Sequence, residues 1–103
     1  MLFRSLEARA AADFLHGLAV WDFAQASRAS ALLVAAAERG ELWLAPDLLR
    51  DGAVTAQLML GNATAARDIF VALAPLSQRE SSDLRTMVLE AMIRERLTQP
   101  SSP

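Results

Sequence analysis

The chain of 103 residues has no cysteine, no lysine and no tyrosine, and only one histidine. Without cysteine there is no disulfide staple, no thiolate nucleophile and no thiolate zinc site. Without lysine there is no Schiff base and no phosphate-binding lysine of a Walker-type loop. Without tyrosine there is no phenolic acid, and one histidine is too few for an ordinary metal centre. Catalysis would rest on carboxylates, hydroxyls, arginines and His16. The reading is therefore that the chain is not an enzyme and holds no cofactor and no metal.

Charge of one sign is also scarce. Ten arginines face twelve acidic residues, giving a net charge of -2 and a pI near 5.3. That balance makes no electrostatic case for nucleic acid or an anionic membrane. A helix-turn-helix reading fails for the same reason, because acidic residues accompany nearly every arginine cluster. No stretch approaches the roughly eighteen apolar residues of a membrane span. Phe14 to Trp21 could pass for a leader, but Glu7 and Asp13 interrupt it, and His16 and Gly17 break the apolar run. The expectation is a cytoplasmic chain, mature from Met1 and without membrane insertion. Arginine without lysine, with heavy use of alanine and leucine, fits a GC-rich bacterial gene.

Hydrophobic residues make up 53% of the chain and charged ones 21%, the balance of one globular domain with a modest core. The apolar residues carry a recurrence. Slid forward by forty positions, Leu18, Val20, Trp21, Asp22, Phe23, Ala26 and Leu33 land on Leu58, Leu60, Gly61, Asn62, Ala63, Ala66 and Leu73, and Phe14 lands on Val54. A period of this length marks a helical repeat, in which faces are buried by stacking.

Periodicity divides the chain into five helices. Leu6, Ala10, Phe14 and Leu18 form one stripe, predicting a helix from Ser5, as N-cap, to Val20. After a tight turn at Trp21-Asp22-Phe23, a second runs to Arg39 and stops at Gly40. Leu42-Trp43-Leu44 connects to a third, opened by Pro46 and carrying Leu48, Leu49, Val54, Leu58 and Leu60. Gly52 lies inside it at a cost of about 1 kcal/mol relative to alanine, which calls for a packing reason. Gly61-Asn62 is a turn whose residues both tolerate positive φ. A fourth helix spans 63–74 and ends at Pro75. A fifth continues to Leu97, its start left open between the capping box Ser77-Gln78-Arg79-Glu80 and the caps Ser81 and Ser82. Leu84-Arg85 and Leu89 echo Leu49-Arg50 and Val54, as though a third repeat began there.

Leu58, Leu60, Gly61, Ala66, Phe70, Leu73 and Pro75 resemble the motif of the tetratricopeptide repeat family, and Phe14, Leu18, Phe23, Ala26 and Leu33 form a weaker copy. Together they cover roughly residues 6 to 80. The period is nearer forty than the family's thirty-four, Trp21 replaces the turn glycine, and Ser30 stands where Phe70 does. The resemblance implies an all-α fold of two antiparallel helical hairpins plus a C-terminal capping helix, in a right-handed stack over residues 1–97. A disordered tail would follow over 98–103.

For function the resemblance implies a protein–protein interaction module, an adaptor, chaperone or scaffold taking a helix or peptide in a shallow groove. The residues placed at that groove by helical phase are His16, Gly17, Arg50 and Gln57, with Trp43 at its edge. Each also has a plainer reading. His16 with Asp13 could be an oriented base, but a histidine satisfied by a neighbour is the ordinary case. Trp43 could anchor a partner or seal the gap between hairpins, and Trp21, at a tight turn, is read as core. Arg50, Arg67, Arg79 and Arg85 alternate with Asp47, Asp51, Asp68 and Asp83, either a charged rim or a solvated face. Two repeats are fewer than the three or so that stack comfortably, so a homodimer or hetero-complex is expected. The alternative is an accessory helical module of a polyamine-synthesis (spermidine-synthase-like) protein, because the stretch running from Trp21-Asp22-Phe23 to Leu49-Arg50-Asp51-Gly52-Ala53 faintly resembles the helical regions beside such proteins. That reading requires acidic groups such as Asp13 with Asp47 or Asp51 to converge on a small-ligand pocket.

Overall fold

A computed structural model describes the backbone of residues 2–42, 44–77 and 83–98, with side chains from residue 6 onward. The described residues are all-helical, with five α-helices and no strand: α1 (Leu2–Ala19), α2 (Phe23–Glu38), α3 (Pro46–Met59), α4 (Ala63–Leu73) and α5 (Leu84–Thr98). A 3-10 turn over Ala74–Leu76 follows α4 and contains Pro75. No described helix is long and apolar enough to cross a membrane. Trp43 and residues 78–82, which hold most of the alternative starts for the fifth helix, lie outside the described residues, as do residues 99–103.

Most helix ends follow from local chemistry. Pro46 occupies the first turn of α3, where its missing N–H leaves no bond unmade. Asp22 caps α2 by accepting from the backbone N–H of Gln25 at 3.1 Å. The first helix differs from expectation. It starts at Leu2, with Ser5 inside it, because Leu2-Phe3-Arg4 contains no proline or glycine to stop the helix propagating.

The helices pack in chain order. α1 lies along α2, α2 along α3, α3 along α4, and α5 packs on both α4 and α3. Some of the buried positions stand forty residues apart, while others, such as Ala36 and Leu76, differ. Phe14 and Val54, Ala26 and Ala66, and Leu33 and Leu73 are all buried. One core cluster joins α1, α2 and α3 through Phe14, Ala26, Leu33, Leu49 and Ala53. A second joins α3, α4 and α5 through Val54, Leu58, Ala66, Leu89 and Ile93, and Ile69 packs against both.

Two glycines permit this closeness. A Cβ on Gly52 would stand 2.5 Å from Phe14 Cζ and 2.6 Å from Leu18 Cδ1, which is the packing reason for glycine within α3. A Cβ on Gly17 would stand 2.8 Å from both the Ala26 nitrogen and the Asp22 carbonyl oxygen. There α1 meets the backbone of α2 directly.

The fifth helix is fixed by a buried cation. The Arg50 guanidinium, only 2% exposed, donates to Thr86 Oγ1 of α5 at 2.9 Å and to Ser77 Oγ at 3.3 Å. Asp47 and Asp51 lie 3.7 and 3.6 Å from it, Ser77 also donates to Asp47, and the Phe70 ring sits 5.2 Å beneath the cation. Arg50 thus forms no part of a solvated charged face. The echo of α3 in α5 is kept only in part: Leu89 is buried as Val54 is, but Leu84 and Arg85 are exposed where Leu49 and Arg50 are buried.

Candidate functional site

Three helices of this chain end in the same way. At the ends of α1, α2 and α3, two backbone N–H groups fold back onto the last turn. Asp22 N donates to Gly17 O at 2.8 Å and Trp21 N to Leu18 O at 3.4 Å. Glu41 N donates to Ala36 O and Gly40 N to Ala37 O, then Asn62 N to Gln57 O and Gly61 N to Leu58 O. These are Schellman closures, and each needs one residue in the left-handed region just past the helix. Gly40 (φ 72°) and Gly61 (φ 82°) fill that place in two of them. Trp21 (φ 61°) fills it in the first, where an L-residue costs about 1–2 kcal/mol. Asn62 does not share the positive φ; at -101° it is the N-cap position of α4.

That backbone state corrects the sequence reading of Trp21. Trp21 is 74% exposed, and its ring stands 6.1 Å from that of Phe23, centroid to centroid, tilted by 50°. A turn residue at the tip of a hairpin sits beyond both helices, so no third surface covers it. Val20 beside it is exposed, as are Met59 and Leu60 at the tip of the second hairpin. The two tips share one end of the molecule. Gln57 Nε2 donates to Ser27 Oγ of α2 at 2.6 Å, and Asn62 Nδ2 donates to Gln57 Oε1 at 3.2 Å. The end of α5 reaches the same region, where Arg96 donates to the Leu58 carbonyl at 3.5 Å. An open cleft of about 590 Å³ lies there, lined by Gly61, Asn62, Thr64, Asp68, Arg96 and Leu97.

The residues read from sequence as groove-lining do not gather at one point. His16 is exposed in the last turn of α1, and among the described residues no ion pair joins it to Asp13. Gly17 is buried against α2, and Gln57 is its counterpart forty residues on, each accepting the amide of an N-cap residue. Arg50 lies about 10 Å further down α3 from Gln57 and is engaged by the chain's own side chains. Trp43 lies outside the described residues. Among the described residues, no group of three or more His, Cys, Asp or Glu side chains is placed to hold a metal ion. Comparison with family models, with curated proteins and with solved structures finds no match to this chain.

The exposure of Trp21 does have a signal in the sequence. Its forty-residue counterpart is a glycine. A bulky residue standing where the copy has glycine marks a backbone position that side chains avoid.

Proposed function

We propose that this chain is a non-enzymatic protein–protein interaction module, a tetratricopeptide-like right-handed stack of two hairpins and a final helix. Its ligand is a helix or extended peptide that docks across the shared end of the hairpins. The observation that carries this reading is Trp21, a large aromatic displayed to solvent at a backbone position that would favour glycine. Strain of this kind persists where the surrounding structure and a function hold it. Tryptophan concentrates binding energy because it buries a large area with few rotatable bonds. Val20 beside it, and Met59 and Leu60 at the tip of the second hairpin, are further exposed apolar side chains at this end, and the cleft bounded by Arg96 and Asp68 adds polar groups.

The test is selection of binders from a displayed library of helical and extended peptides on the purified chain, followed by amide-shift mapping of the tightest. Shifts centred on Val20, Trp21, Leu60 and Leu97 are expected. Failure to select any binder, or shifts confined to other faces, would count against the reading.

A further inference from the structure

Helix α5 is apolar on two opposite sides. Thr86, Leu89 and Ile93 are buried against α3 and α4. At 3.6 residues per turn, Leu84, Met87, Val88 and Ala91 fall within an arc of about 100° on the reverse side. That side faces solvent, with Leu84 74%, Met87 53% and Val88 47% exposed. Spacings of three, four and seven residues are those of a helix that packs against another helix.

The charged residues of α5 indicate what covers it. Glu90 and Arg94 pair with each other at 3.3 Å, and Arg96 donates to Leu58 O. Among the described residues, the side chains of Arg85 and Glu95 have no ion-pair partner. By helical phase they share one flank of the outward face with Val88 and Met92, and lie about 15 Å apart along the axis. Arg85 with Glu95, and Val88 with Met92, are both centred on residue 90. An antiparallel helix related by a two-fold axis there would set Arg85 against Glu95 of a second copy, and Val88 against its Met92, each twice. Ala91 lies beside that axis, where a small side chain lets the helices come close. Parallel pairing would instead set like charge against like.

We propose that the outward face of α5 is a homodimer interface, occupied by α5 of a second copy in antiparallel orientation. This rests on the reading of the chain as an interaction module, and names one partner for it. A two-fold pair makes each contact twice, so one charge reversal converts two attractions into two repulsions.

The experiment is sedimentation velocity of the full chain across the micromolar range, with Arg85→Glu and Glu95→Arg measured singly and as an equimolar mixture. The wild type is expected to dimerise with rising concentration. Each reversal should weaken self-association by about tenfold, and mixing the two should restore it, since the mixed pair recovers both opposite-charge contacts. Val88→Glu should abolish it, with thermal unfolding by circular dichroism confirming that each variant folds. A wild type that stays monomeric, or a dimer indifferent to the reversals, would overturn the proposal. Either result would leave the peptide-binding reading standing, because that is judged at the hairpin tips and the adjoining end of α5, not on its outward face.

Discussion

Trp21 and Gly61 occupy the same position in two equivalent helix ends, forty residues apart, and only one of them is glycine. Both have positive φ, 61° and 82°, and both donate their N–H to a leucine carbonyl three residues back. The residue after each donates to a carbonyl five residues back, from Gly17 and from Gln57, at 2.8 Å in both cases. At Gly61 the chain takes the residue that the backbone favours. At Trp21 it carries the strain and presents an indole.

The two buried glycines should differ in cost when a methyl is added. Gly52→Ala gains about 1 kcal/mol of helix propensity but presses on the fully buried Phe14 ring, for a net loss within about 1–2 kcal/mol. Gly17→Ala meets backbone atoms of α2, which cannot rotate aside, and should cost about 3 kcal/mol or more. Urea unfolding of the two variants checks the order.

Replacing Arg50 should loosen α5 before the rest of the fold. Arg50→Met removes the guanidinium beside Asp47 and Asp51 and the donor to Thr86, at a cost of about 3 kcal/mol. Thr86→Val removes one acceptor and should cost about 1–2 kcal/mol. Amide hydrogen exchange should show faster opening over residues 84–98 than over α1 and α2 in both variants.

The helix caps give a matched comparison. Asp22 accepts from Gln25 N, whereas Asn62 makes no side-chain cap bond to α4 and donates to Gln57 instead. Asp22→Ala should cost about 1 kcal/mol, and Asn62→Ala less than half of that. Thermal unfolding followed by circular dichroism separates the two.

Much of the helix pattern was legible because it depends on local chemistry. Gly40, Pro46 and Gly61 mark ends through φ or a missing N–H, and the stripe through Phe14, Ala26 and Leu33 marks the buried faces. What escaped depends on distant partners. Arg50 and Thr86 are thirty-six residues apart, and neither shows in sequence that the other waits for it. Arg50 did share a stripe with Val54, but alternating charge reads as a solvated face. The candidate site was half legible: Gln57 and Gly17 lie near the shared hairpin end, yet Trp21 was placed in the core. A tight turn does not reveal whether its side chain points inward until the sign of φ is known.

Trp21→Gly tests the central claim most directly, with unfolding free energy and affinity for a selected peptide measured on one protein. Glycine relieves the left-handed strain but loses unfolded-state restriction and the Phe23 contact, so stability should change by no more than about 1 kcal/mol. Affinity should fall by at least about tenfold, as for a buried aromatic anchor. A variant that loses about 3 kcal/mol of stability while binding unchanged would make Trp21 a structural residue and contradict the account.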